Sequence, residues 1–250
     1  MVISLHKTFK SFGSPLLATV MQSSTGVVMD ATFWHQRWQE NQIGFHQREI
    51  NFHLQQFWPE LGLAADIAVF VPLCGKSADM LWLRARGHRV IGVELSQIAV
   101  DAFFAENHLT ASVRQEGEFR VSECDGIRIY CGDFFALQPA DLAGVGAVFD
   151  RAALIALPPA MRRDYVAQMR RLLAPGAATL LVAFDYPQQE MQGPPFSVEE
   201  AEVRALYAPD HAVTLLHRLD ILGQEPRFRE KGLTRLHEMV YRLRYNSRSA

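Results

Sequence analysis

The chain has 250 residues, a formal net charge of −2, and 49% hydrophobic against 21% charged residues, which suits one domain with a full core and gives no electrostatic footprint for nucleic acid. Charge interrupts every apolar run short of the ~18 residues of a membrane span. Three cysteines without CxxC spacing argue against a disulfide framework or zinc site and for reduced thiols in the cytoplasm, and the nine histidines form no HExxH or HxH cluster, so no metal is expected.

Residues 1–28 contain no Asp, Glu or Arg, are rich in Ser and Thr, and carry Lys7 and Lys10. Ser14 to Met21 is a poor signal core, so the segment reads as a flexible extension before a domain over 29–246, with 247–250 a polar tail. Asp30 is placed to cap a short helix through Phe33-Trp34-His35-Gln36-Arg37-Trp38, in which Trp34 and Trp38 share a face. Ile43-Gly44-Phe45-His46-Gln47 reads as a loop, followed by a helix from Asn51 to Trp58 that Pro59 ends. Aromatics at this density form either a core stripe or a lid over a flat ligand.

Ile67 to Val71 is a short β-branched run fit for a strand buried on both faces. Pro72 to Gly75 turns the chain into a helix whose spacing puts Ala78, Leu81, Trp82 and Ala85 on one apolar face. Gly87 stops it, and Arg89 to Glu94 is a second buried strand ending in an acid. Glu94 follows Gly75 by 19 residues, the separation at which a strand-end carboxylate meets a ribose in nucleotide-binding βαβ units; the alternative is a solvated strand-end acid. Gly75-Lys76-Ser77 echoes a phosphate-binding P-loop, but that motif needs glycine where Phe70 stands. The three-glycine dinucleotide fingerprint is also missing. A ribose acid without a pyrophosphate loop favours an adenosine ligand lacking phosphates, of which S-adenosylmethionine is the commonest.

Ser96 is placed to cap a helix to about Asn107 with Val100, Phe103 and Phe104 inward. Asp125-Gly126 joins strands Phe119 to Cys124 and Ile127 to Cys131 as a hairpin. Asp133, just past the second, is either an adenine contact or a helix cap. Val145 to Phe149 is another buried strand, ending in Asp150-Arg151. Pro158-Pro159 opens a helix to Leu173, and Ala177 to Phe184 is the longest apolar strand. The loop Asp185 to Phe196, with Gly193-Pro194-Pro195-Phe196, has a length usually reserved for function. Ser197 is placed to cap a further helix, and Val213 to Leu222 and Glu238 to Tyr245 are final strands around the basic loop Pro226 to Lys231.

Read together, Phe33-Trp34-His35-Gln36-Arg37-Trp38, Gly44-Phe45-His46-Gln47, Pro72-Leu73-Cys74-Gly75-Lys76, Gly92-Val93-Glu94, Asp150-Arg151 and Gly193-Pro194-Pro195-Phe196 resemble the thiopurine S-methyltransferase family, bacterial type, from Met29 to Tyr245. The resemblance implies an α/β, Rossmann-like class I methyltransferase fold, a seven-stranded mixed sheet flanked by helices on both faces, with S-adenosyl-L-methionine as cofactor. It implies Trp38, Leu73, Glu94 and Arg151 as cofactor contacts, completed by Trp34, Asp133 and Phe134. Phe45, Pro195 and Phe196 fall on the acceptor side. Arg151 and Arg227 are the catalytic candidates, with Arg229 close enough to leave the register of Arg227 loose.

Transfer of a methyl group to sulfur demands positioning and electrostatics more than covalent work. Aromatic thiols ionise readily, which fits the lack of an evident general base, and a nearby Arg151 or Arg227 would favour the thiolate. Arg151 has a bland alternative as partner of Asp150 or of the cofactor carboxylate. Other readings are a methyltransferase of selenium, tellurium or halide species, and a non-catalytic S-adenosylmethionine binder. The expected partner is a small aromatic or heterocyclic thiol, with no nucleic acid and no membrane, and the expected state is a cytoplasmic monomer.

Overall fold

The computed structural model describes residues 31–64 and 66–246, so the expectations for residues 1–28, for Asp30 as a cap and for the tail 247–250 lie outside the described residues. Apolar β-branched runs form the centre of a sheet. Ala68–Val71 (β1) is buried at every position, and Arg89–Glu94 (β2), Val145–Asp150 (β6) and Ala178–Asp185 (β7) are buried over most of their length. With Ser112–Glu116 (β3), Phe119–Cys124 (β4), Ile127–Cys131 (β5), His211–Asp220 (β8) and His237–Tyr245 (β9) they make one sheet in the order β3-β4-β5-β2-β1-β6-β7-β9-β8.

β5, β2, β1, β6 and β7 pair in parallel, and β9 lies antiparallel between β7 and β8. These are the seven strands that the resemblance implies. Two more, β3 and β4, extend the sheet antiparallel beyond β5, giving nine. β3 (SVRQE) has no apolar alternation because it is a solvated edge, paired on one side only.

Side chains alternate between two cores. Val69, Val71, Phe149 and Leu180 meet Phe52–Phe57 (α2), Asp79–Ala85 (α3) and Gln97–Glu106 (α4) through Leu54, Leu83 and Phe103. Phe70, Val93, Val148 and Leu181 meet Ala153–Ala156 (α5), Pro159–Leu172 (α6) and Glu200–Tyr207 (α7) through Leu154, Tyr165 and Val203.

Local expectations hold only in part along the helices. α3 buries Met80 and Leu83 most fully, with Leu81 and Trp82 of the expected face only partly buried against the same core and Ala85 exposed, while Asp79 is drawn inward by Asn51 N at 2.7 Å and Ser77 Oγ at 2.8 Å. Trp82 is left to stack on Arg86, 4.3 Å from ring to guanidinium carbon. α2 does end ahead of Pro59 as expected, and Pro59 sits at the start of a 3-10 turn, Trp58–Leu61. Ser96 stands at the cap of α4 without making the cap bond, and Glu199, not Ser197, precedes α7. The Ser197 hydroxyl instead accepts from Tyr186 N at 3.0 Å and so fixes the Pro-rich loop. From β1 the chain adds β2 and β5 to one side and β6 and β7 to the other. Such a reversal opens a crevice at the carboxyl ends of the strands.

Candidate active site

The turn leaving β1 sets the floor of that crevice. Gly75 has φ +53°, and a Cβ there would meet the Trp38 ring at 3.3 Å, so both conformation and space call for glycine. Leu73 lacks that freedom yet also has φ +46°, a left-handed conformation costing about 1–2 kcal/mol; the bond from Cys74 N to the Val93 carbonyl, 3.0 Å, holds the turn in place.

The turn aims Gly75 N at Glu94 Oε2, 2.9 Å, while Ser96 N donates to Oε1 at 2.8 Å. Burial pushes the Glu94 carboxyl up, and these backbone donors pull it back. Each oxygen keeps lone-pair capacity for a ligand hydroxyl. The groups that a phosphate loop would use are committed elsewhere: Gly75 N to Glu94, Lys76 Nζ to Glu106 at 2.6 Å, and Ser77 Oγ to Asp79.

Above this floor lies a cavity of about 560 Å³, in the range of small-ligand sites. Ala31–Gln39 (α1) and the following loop form its aromatic side, with the Phe45 ring edge-on to Trp34 and to Trp38, each 5.7 Å between centroids. Leu73, Glu94, Asp133, Phe134, Arg151, Pro195 and Arg227 complete the wall named from the sequence. Phe196 is not brought to it. That ring is buried against Gly193, and its N donates to the Ile155 carbonyl at 2.7 Å, so it anchors the loop that presents Pro194 and Pro195.

Asp133 serves as a cap, accepting from Phe135 N at 2.9 Å, while still facing the cavity. Arg151 makes no ion pair or hydrogen bond among the described residues. Burial lowers its pKa, against the pull of Asp79 and Glu238. Asp150 is not its partner: that carboxyl accepts from Tyr165 OH at 2.7 Å and is pushed up to about 6 by burial. Arg227 is engaged, with Nε 2.9 Å from Glu225 and Nη1 donating to the Gly44 carbonyl, so it ties Pro226–Glu230 (α8) to the loop bearing Phe45. Arg227 lines the cavity and Arg229 does not.

Three of the further cavity residues carry titratable side chains that face the site from different elements. His46 was visible in Gly44-Phe45-His46-Gln47; burial, then Lys76, lowers its pKa. Lys231 and Glu238 carried no local signal, since only the topology of the last strands brings them here.

The sequence model of the thiopurine S-methyltransferases matches residues 29–246. The chain belongs to the thiopurine S-methyltransferase family. It is 51% identical over 216 residues to the thiopurine S-methyltransferase of Pseudomonas fluorescens strain Pf0-1, covering 86% of this chain and 99% of that one. With the enzyme of Nitrosospira multiformis it shares 49% over 215 residues, 86% of this chain and 98% of that one. In fold it is similar to 1,6-didemethyltoxoflavin-N1-methyltransferase of Burkholderia thailandensis, solved with S-adenosylhomocysteine, at TM-score 0.59, 17% identity and 87% of each chain. A SAM-dependent methyltransferase from Methanosarcina mazei gives 0.55 at 12% identity, over 80% of this chain and 100% of that one. In this family member the turn and Glu94 fit an adenosine ligand: a carboxylate set by two backbone donors, aromatic walls, and no free phosphate cradle.

Proposed function

We propose that this chain is an S-adenosyl-L-methionine-dependent S-methyltransferase acting on thiopurines and other aromatic or heterocyclic thiols. The observation that carries the reading is the backbone-held Glu94 carboxylate at the base of an aromatic cavity, in a chain of this family. Glu94 accepts ribose hydroxyls, with Trp38 and Leu73 flanking and Asp133 and Phe134 at the adenine end. When bound, the cofactor supplies a methyl group on a sulfonium sulfur. Phe45, Trp34 and Pro195 hold the acceptor ring, and Arg151, without an ion-pair partner among the described residues, favours the thiolate or the cofactor carboxylate. Arg227 contributes by holding the Phe45 loop.

The aromatic rings around this volume, Trp34, Trp38, Phe45 and Phe134 among them, exceed what a halide or an inorganic selenium or tellurium species can use, which favours a ring-bearing acceptor. The companion reading is a cytoplasmic monomer without a nucleic acid partner. Support comes from Cys74, Cys124 and Cys131 being free thiols and from the balanced charge. Among the described residues no helix is long and apolar enough to cross a membrane.

Calorimetric titration with S-adenosylmethionine followed by a thiol screen tests the reading. Binding and methylation of a thiopurine are expected. Binding without methylation of any aromatic or heterocyclic thiol would leave only the cofactor half standing, and no binding would end both.

A further inference from the structure

β9 is antiparallel to its neighbours, so its first residues reach the edge where the parallel strands end. Glu238 pairs there with Phe184 of β7 and Leu219 of β8, and its side chain lines the cavity. Its Oε2 lies 2.7 Å from Nε2 of His53 on α2, a side chain only 2% exposed. His53 Nδ1 is buried and has no hydrogen-bond partner among the described residues. A neutral imidazole has one donor and one acceptor nitrogen. Nε2–H is therefore the donor to the carboxylate, since the other tautomer would strand an N–H instead of a lone pair. Glu238 is thus fixed by one oxygen, while Oε1 makes no hydrogen bond among the described residues.

We propose that Glu238, held by His53, takes the proton that the bound acceptor must surrender for its sulfur to be methylated. The proposal rests on the thiol-methylation reading above. In the step, the S–H bond of a thiol, or the ring N–H bond of a heterocyclic thione, breaks and an O–H bond forms on Glu238. The acceptor keeps the electron pair and becomes the anion, Glu238 becomes neutral, and the pair's net charge stays −1. The proton then leaves to solvent through the open side of the cavity.

The charges around the pair favour the anion that forms on the acceptor. Arg151 attracts Glu238 and has no ion-pair partner among the described residues; Asp79 lies beside Arg151, and Arg227 and Lys231 share the wall. His217 lies 5.9 Å from the His53 ring. His46 is the rival base on the wall, but no side-chain hydrogen bond among the described residues orients it. Glu238 is the catalytic residue here and His53 a positioning residue.

Glu238→Gln keeps size and contact but cannot take a proton. Wild type and variant are compared on a thiopurine, weakly acidic, and on a nitro-substituted benzenethiol already ionised at neutral pH. The expected result is a kcat on the thiopurine lower by about 100-fold, a change of no more than about threefold on the ionised thiol, and cofactor affinity by calorimetry within about twofold. Separately, benzenethiol bound alongside S-adenosylhomocysteine should show its ultraviolet thiolate band in wild type and a weaker one in the variant. Equal losses on both acceptors, no loss on either, or the acidity-dependent pattern appearing in His46→Gln instead would overturn the assignment. Wild-type protein that methylates neither acceptor would sink the parent reading instead. If Glu238→Gln does not fold, His53→Phe carries the test. It removes only the orienting donor and should show a deficit of about tenfold confined to the weakly acidic acceptor, while no such deficit overturns the role.

Discussion

At Glu94, binding and folding share one carboxylate. The oxygens that the proposed function assigns to ribose hydroxyls are those that receive Gly75 N and Ser96 N, so truncation strands two donors in a buried setting. Glu94→Ala should therefore lower stability by about 1–3 kcal/mol in denaturant titrations. It should also weaken S-adenosylmethionine binding at least about tenfold by calorimetry, at a temperature where the variant stays folded. Unchanged cofactor affinity would remove the ribose assignment. The spacing from Gly75 to Glu94 is local in sequence, which is why the residue was legible there. Phe196 was misjudged because a ring in a Pro-rich loop points where the loop folds, and Gly193 leaves it room to turn inward.

Among elements, those carrying their own periodicity were readable, and those defined by partners were not. The Asp125-Gly126 hairpin announced itself because both turn residues adopt positive φ, +46° and +75°, as that dipeptide favours. β3 has no pattern of its own, and α3 buries Asp79, Met80 and Leu83 more fully than the Leu81 and Trp82 that apolar spacing picks out. The aromatic side of the cavity is the functional instance. α1, the Phe45 loop and α8 are brought together by two ring contacts and the Arg227–Gly44 link, none visible locally. Phe45 is 37% exposed, so its ring is stabilised less by the core than by what it covers. Phe45→Ala should raise KM for a thiopurine by about 3- to 10-fold, from lost stacking of about 0.5–1.5 kcal/mol, with a smaller effect on cofactor affinity. Steady-state kinetics beside a cofactor titration decides this, and equal losses in both would place Phe45 on the cofactor instead.

For the whole molecule, the buried ionisable groups set how folding responds to pH, and two of them pull in opposite directions. His88 is buried between Trp58, whose Nε1 donates to Nε2 at 3.1 Å, and the Ile67 carbonyl, 3.2 Å from Nδ1, an arrangement complete only for the neutral ring. Burial lowers its pKa below the ordinary 6.5, so its contribution is full above that value and is lost as pH falls. Asp150 behaves oppositely. Burial raises its carboxyl from 3.8 to about 6, so the folded state holds a proton that the unfolded chain has released, and that stability is full near pH 3.8 and lost as pH rises toward about 6. A shift of this size corresponds to about 3 kcal/mol at most, larger than a typical single substitution. Asp150→Asn isolates it. The amide cannot titrate, and its altered bonds to Tyr165 and Leu154 enter as an offset that does not vary with pH. Denaturant titrations between pH 4 and 8 should show the wild-type margin over Asp150→Asn shrinking as pH rises to about 6 and level above it. A margin independent of pH would mean that Asp150 ionises in the folded protein as readily as in the unfolded chain. The Tyr165 hydroxyl beneath the cavity would then be bonded to a carboxylate at all working pH values.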